Sequence, residues 1–362
     1  MERRKAAFFT RLKSEVFCGI CSEEIMSEKN ISRRKFIRLA SGAVISFAAL
    51  GLSGCGNDSA QKIESDNTVN AAKSNDVSEV SSMAKVYFTN DISPESLIGI
   101  YSKINEGITG KVAIKLHSGE PHGPNLLPIE LIRNLQATIP NSTIVECNVA
   151  YGGPRRNTDS HLATLKTNGF DFCPVDIMDA DGDVDLPIPK VSHETRLDSV
   201  PVGAHINNYD SMLVYTHFKG HMMGGFGGSL KNIAIGCASS TGKLIVHGKG
   251  WPTGKPFLER MVEAGYAVAD HFKGHITYIN VLKNLSVDCD CDAHGAAPTM
   301  GDIGILASTD LLAIDQASID LVYAAADSQD LIKRIESKEG LHQLDYMETL
   351  GVGNRKYELV QI

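Results

Sequence analysis

The sequence has no apolar run long enough to cross a bilayer, no basic cluster interleaved with aromatics, no repeat of fixed period and no regularly spaced cysteine framework. Each absence removes a class of protein. The main uncharged apolar stretch, Leu39 to Leu52, falls short of the roughly 20 residues that a helical span needs. Without a period, solenoids and propellers are set aside. Of the eight cysteines, Cys18 and Cys21 lie near the start, and the remaining six are Cys55, Cys147, Cys173, Cys237, Cys289 and Cys291. Scattered spacing of this kind is not a disulfide scaffold.

What is present begins with a paired arginine, Arg33-Arg34, inside Ser32-Arg33-Arg34-Lys35-Phe36-Ile37, followed by the apolar stretch and by Leu52-Ser53-Gly54-Cys55. A charged head, an apolar run and small residues before a cysteine are the layout of a twin-arginine secretory signal ending in a lipidation site. The expectation is export by the twin-arginine translocase, with lipid on Cys55 anchoring the chain to the outer face of the bacterial cytoplasmic membrane. Met26 offers a second candidate start, and Cys18 and Cys21 then fall outside the mature chain. Residues 1–54 hold 10 Lys and Arg against 5 Glu, which leaves 25 basic and 38 acidic residues and a formal charge of -13. So acidic a chain repels phosphate backbones, so nucleic-acid binding is not expected. Folding in the cytoplasm before export keeps thiols reduced and allows a cofactor to be loaded.

Residues 55–83 are rich in Asn, Asp, Ser, Lys and Glu with few large apolar side chains, and read as a flexible tether. Residues 84–362 then alternate short β-branched runs with helical patterns. Strands are expected at Val86 to Phe88, Val112 to Leu116, Thr143 to Val145, Met212 to Tyr215 and Ile276 to Val281. Helices are expected over Pro94 to Ile108, Pro128 to Ile139, Phe257 to Phe272 and Leu311 to Ala325. The alternation predicts a layered α/β fold with a mostly parallel sheet, as one large domain or two joined lobes.

Chemistry-bearing residues cluster where predicted strands end. His217, Lys219 and His221 follow the strand at Met212, and a continuing strand would turn all three to one face, as a metal or an anionic substrate requires. Gly224, Gly225, Gly227 and Gly228 follow, with Lys231 behind them. Such a loop suits either an anion cradle of backbone N–H groups or a tight turn, and matches neither the phosphate-loop nor the dinucleotide spacing. Cys289, Cys291 and His294, flanked by Asp288, Asp290 and Asp292, offer soft and borderline ligands for zinc, copper or iron, or a redox dithiol. Lys115 and His117 share a face after the strand at Val112, with Glu120 beyond them. Arg155 and Arg156 follow the strand at Thr143, and exposed charge is their expected role.

Taken together, the segments Lys115 to Glu120, Thr216 to Asn232, Gly236 to Ser239, Asp288 to Cys291, Asp302 to Asp310, Ala313 to Val322 and Leu344 to Ile362 resemble the domain-of-unknown-function 362 family. The resemblance implies association with iron-sulfur proteins, since many members carry a ferredoxin-like insert after the segment matching Gly236 to Lys243. Here no cysteine lies between Cys237 and Cys289, so the insert and its cluster-binding runs are missing. A ferredoxin-type cluster is therefore not expected, and a transition metal, zinc or iron, is the cofactor left open.

The expected activity is that of a lipid-anchored metal-dependent or redox-linked enzyme. His217 and His221 would be ligands or acid-base groups, with Lys219 as an electrostatic anchor. A non-catalytic lipoprotein that binds a metal or small anion and presents it to a partner is the alternative. Convergence of Lys115, the His217 segment and the Cys289 segment on one pocket would favour catalysis.

Overall fold

The computed structural model describes residues 83–362. Arg33, Arg34, Cys55 and nearly all of the expected tether lie outside the described residues. The strands, in chain order, are β1 (Ala84–Thr89), β2 (Val112–Lys115), β3 (Ser142–Glu146), β4 (Val175–Ile177), a hairpin of β5 (Asp183–Pro187) and β6 (Ser199–Gly203), β7 (Ser211–His217), a second hairpin of β8 (Lys219–His221) and β9 (Gly225–Gly227), then β10 (Ile276–Leu282), β11 (Gly304–Ser308) and β12 (Tyr357–Gln361). Eight of them form one sheet in the order β12-β1-β11-β10-β7-β2-β3-β4. All but β11 run the same way.

Every residue of β2, β7, β10 and β11 is buried, as expected of strands covered on both faces. The period-2 alternation divides each strand between two cores. On β7, Met212 and Val214 enter one, while Leu213 and Tyr215 enter the other. The second core is closed by α1 (Pro94–Tyr101), α2 (Ile129–Ala137) and α3 (Thr158–Thr167) through Leu97, Ile100, Leu131, Leu135 and Leu165. The first is closed by α4 (Ser229–Cys237), α5 (Ser240–His247), α6 (Lys255–Phe272), α7 (Leu311–Ala324), α8 (Gln329–Ser337) and α9 (His342–Leu350). Full burial of a Leu, Ile or Phe side chain contributes about 1.5–3 kcal/mol, so these two layers supply the main stabilisation. The chain is thus a layered α/β fold with a mostly parallel sheet. Among the described residues no helix is long and apolar enough to cross a membrane.

Element bounds follow local chemistry. Helix α1 starts at Pro94 with Ser93 accepting from the Ser96 N–H (3.2 Å). It stops at Tyr101, short of the Ile108 expected from periodicity, where the bonds tighten to i−3 partners: the Lys103 N–H donates to the Ile100 carbonyl (3.1 Å) and the Ile104 N–H to the Tyr101 carbonyl (3.0 Å). Helix α3 was not anticipated, since its buried residues include His161 and Thr164 and not an apolar stripe.

The strand order reverses at one place. From β2 the chain builds outward through β3 and β4, then returns to lay β7 on the other side of β2 and continues through β10. At such a switch point the crevice outside the carboxyl ends of the strands is where open α/β sheets hold ligands.

Candidate functional site

A pocket of about 190 Å³ lies at this switch point, lined by Lys115 and His117 after β2, Glu146 and Cys147 at the end of β3, His217 at the end of β7, and Lys219 and His221 on β8. Lys231 and Asn232 from α4, Lys243 and His247 from α5, and Cys289 and Cys291 from the loop after β10 complete the wall. Lys115, the His217 segment and the Cys289 segment thus share one cavity.

The carboxylate of Asp290 ties the strand end to the cysteine loop. It meets His217 Nδ1 at 2.8 Å and Lys219 Nζ at 2.9 Å, with all three side chains at most 6% exposed. His217 Nε2 faces the Lys283 carbonyl at 2.8 Å, and Lys219 Nζ also donates to the His217 carbonyl at 3.0 Å. Burial works against the Asp290 charge, yet His217 and Lys219 outweigh it and hold the carboxyl well below the usual carboxylate range. His217 therefore has no ring nitrogen left for a metal, and the charge of Lys219 is spent inside the protein. These contacts correct the expectation of His217 as a metal ligand, and Lys219 is an electrostatic anchor for Asp290.

The strand does not continue through His221 as one ribbon. It breaks at Phe218, which enters the core, and restarts as β8 paired with β9. Gly220 makes the approach of β8 to the cysteine loop close: its N–H donates to the Ser286 carbonyl at 2.8 Å, and a Cβ there would lie 2.3 Å from the Val287 oxygen. The loop is held from other sides by the Glu120 N–H on the Asp290 carbonyl (2.9 Å) and by Arg334 of α8 on Asp288 (2.9 Å). These restraints bring His221, Cys289 and Cys291 together, with one donor atom of each within 4.8 Å of the others.

Burial, reinforced by Lys231, keeps the His221 ring well below its ordinary pKa, so it is neutral, and its Nδ1 accepts the N–H groups of Met223 (3.2 Å) and Gly224 (3.0 Å). The neighbouring Cys291, with Lys231 and Lys219 nearby, holds the Cys289 thiol well below its ordinary pKa against the effect of burial, while Cys289 and burial push the Cys291 thiol well above its own. Both are free thiols. His294 is exposed, and its backbone N–H binds the Asp292 carboxylate at 2.9 Å. The imidazole beside the thiols is therefore that of His221, and the expectation for His294 is corrected.

On the opposite wall Arg155 is buried, not an exposed charge. It donates to Glu120 through Nε (3.0 Å) and Nη2 (2.8 Å), and to Tyr151 Oη (2.6 Å), while Nη1 approaches Glu146 at 3.7 Å. Arg156, its neighbour, is exposed. Burial opposes the Glu146 charge, but His117, His161 and Lys115 hold it well below the carboxylate range. His117 spans the cavity wall, with Nδ1 3.9 Å from Glu146 and Nε2 4.0 Å from Cys289 Sγ.

The glycine loop does not present its helix start to a ligand. The N–H groups of Ser229 and Leu230 donate to Asp315 of α7 at 2.8 and 2.9 Å, and Gly228 is needed because a Cβ would fall 2.4 Å from that carboxylate. Gly225, at φ +79°, packs on Gly340, and the Gly224 carbonyl accepts from Gln343 (2.7 Å). Gly227 and Gly228 do line the pocket, and Lys231 follows them. An anion there would meet the lysine side chain and not a cradle of amides.

Sequence reading missed Glu146, Lys243 and His247. The sole tryptophan, Trp251, was the available signal for the last. It stacks on His247 with ring centroids 4.1 Å apart, at a left-handed φ of +53° that a bulky residue seldom adopts.

The family model "Domain of unknown function (DUF362)" matches residues 112–320, more than half of the chain, and the protein belongs to that family. No curated protein matches. Two solved structures with a detectable likeness are the lactate racemase apoprotein from Thermoanaerobacterium thermosaccharolyticum (14% identity, TM-score 0.39) and a Thermotoga maritima protein from a structural genomics programme (12%, 0.38). Each alignment covers 67% of this chain, but only 58% and 60% of those chains respectively.

The pocket makes a pH-dependent demand on stability. Burial, then Lys231, Lys243 and Arg260, push His247 down to about 3 from 6.5. Between those values the unfolded chain takes a proton that the folded chain refuses, so this term is fully present above pH 6.5 and is lost as pH falls. Replacing His247 by Gln removes it. Denaturant unfolding at pH about 8 and about 5 should show the variant losing about 2 kcal/mol less stability on acidification than wild type; equal losses would contradict the assignment.

Proposed function

We propose that this protein is a metal-dependent enzyme exported to the outer face of the membrane, with His221, Cys289 and Cys291 holding one zinc or iron ion. The observation that carries this reading is the meeting of one buried imidazole, one buried thiol and one half-buried thiol at the wall of a pocket. Two sulfurs and one nitrogen suit a borderline metal, and three protein ligands leave a coordination position for water or substrate, as in catalytic sites. Asp290 supports the site by orienting the loop between the two cysteines, and His117 stands within reach of both Cys289 and Glu146 as a proton carrier. In the metal-free protein the Nδ1 of His221 is an acceptor, so the ring proton sits on Nε2. For Nε2 to face a metal the ring proton would have to move to Nδ1, at the expense of the Met223 and Gly224 N–H contacts and with no net proton release, whereas the Cys291 thiol would lose its proton to solvent, so affinity should rise with pH.

A redox dithiol is the second reading. It is favoured by the opposite pKa shifts of the neighbouring Cys289 and Cys291 thiols, since the lowered thiol is the more nucleophilic of the two at neutral pH. A binder without catalysis fits less well, because acid-base groups, thiols and ammonium groups all converge on one cavity. The full chain, purified without oxygen, should contain zinc or iron in near one-to-one amount by elemental analysis. Replacing Cys289 and Cys291 by Ser should release it. Metal-free wild-type protein would remove the metal reading and leave the dithiol.

Membrane attachment is the other half of the proposal, supported by the Arg33-Arg34 head and the Leu52-Ser53-Gly54-Cys55 site. Cys55→Ser should move the protein from the membrane to the soluble fraction on cell fractionation; unchanged membrane association would contradict lipid anchoring.

A further inference from the structure

The charges around the pocket do not balance. Lys219 and Arg155 have carboxylate partners, Asp290 and Glu120. Among the described residues Lys115 and Lys243 have none within ion-pair distance. The Lys115 ammonium donates to the Leu116 carbonyl and to Asn232 Oδ1 (3.0 Å), and the Lys243 ammonium to the Ala238 carbonyl (2.6 Å). All of these acceptors are neutral, and both lysines are at most 5% exposed. They stand close enough that the charge of Lys115 bears on Lys243. Gly236 makes the burial of Lys115 possible, since a Cβ there would lie 2.5 Å from its Nζ. Asp179 and Glu146 bear on these lysines only from beyond ion-pair distance, and Glu146, which lines the pocket, also faces Arg155, His117 and His161. Two buried ammonium groups with no carboxylate in contact are costly to hold, and a bound anion would offset that cost.

A further group in the same wall lacks a partner. His247, only 7% exposed, has an Nδ1 with no hydrogen-bond partner among the described residues. A cavity of about 190 Å³ is smaller than the roughly 300–1,000 Å³ of drug-sized sites, so the missing ligand is small.

We infer that Lys115 and Lys243 form the binding site for the anionic head, a carboxylate or phosphate, of a small substrate whose other end reaches the His221, Cys289 and Cys291 wall. The second clause rests on the proposed function; the anion site stands without it. Asn232 serves as a positioning residue: its oxygen holds Lys115 while its Nδ2 donates to the Tyr215 carbonyl (3.1 Å) and to Thr216 Oγ1 (3.0 Å).

Trp251 lines the pocket and is the sole tryptophan, so its fluorescence reports binding directly. The full chain is titrated with oxalate, malonate and inorganic phosphate, with malonamide as the neutral control and chloride matching the ionic strength. A saturable change with at least one anion and none with malonamide is expected. The Lys243→Met and Lys115→Met variants should bind at least tenfold more weakly, while Cys289→Ser/Cys291→Ser still binds. Preference between the carboxylates and phosphate identifies the head group. Thermal unfolding of wild type provides a reading independent of the variants: the preferred anion should raise Tm beyond the chloride control. No saturable response and no specific Tm shift would overturn the inference, as would unchanged affinity in folded Lys115→Met and Lys243→Met. Metal-free wild-type protein that still binds the anion would sink the metal reading alone.

Discussion

The site depends on one buried carboxylate. Asp290 stands between two cysteines in sequence and between His217 and Lys219 in space, so a single side chain joins the end of β7, the start of β8 and the loop after β10. Breaking a buried ion pair by removing one partner costs about 3–5 kcal/mol because the remaining charge is left unpaired. His217 and Lys219 hold Asp290 from two elements, so its contacts are lost only if the loop leaves the strand end. The consequence is a rigid loop whose flanking cysteines are presented to His221. Residues that read in sequence as chemistry, His217 and Lys219, prove to be the clamp.

Around that clamp the fold separates balanced from unbalanced charge. Asp290 neutralises one lysine, Glu120 and Glu146 surround Arg155, and Asp315 satisfies the amides at the start of α4. These groups are self-contained. Lys115, Lys243 and His247 are not, and they share a cavity with the thiols. The division follows from topology. Strands β2 and β7 part company at the switch point, and the crevice between their ends is the place where side chains from four strand ends approach without packing into either core.

Much of the architecture was legible. The β-branched runs at Val112, Thr143, Met212 and Ile276 became buried strands, and the helices opening near Pro94 and closing at Phe272 are present. Strand-end residues proved to be pocket residues because ionisable groups interrupting an apolar run are tolerated only where the sheet stops. What sequence could not carry was partnership across distance. His221 faces thiols some seventy residues away, whereas His294, three positions from Cys291, turns to solvent. Spacing favours the near neighbour, and the backbone approach at Gly220 decides otherwise. Arg155 reads as exposed because arginine usually is; its two acidic partners lie on strands and loops that only folding brings near. Glycines 224 to 228 read equally as a cradle or a turn, and Asp315, over eighty residues on, occupies the amides that a ligand would need.

The proposed metal site stands or falls with His221, Cys289 and Cys291 acting as one donor set. X-ray absorption at the metal edge of the anaerobically purified full chain tests it most directly. Two sulfur scatterers and at least one imidazole nitrogen should appear in the first shell, with the nitrogen signal lost in His221→Ala. A first shell of oxygen and nitrogen alone, or one unaltered by that substitution, would contradict it.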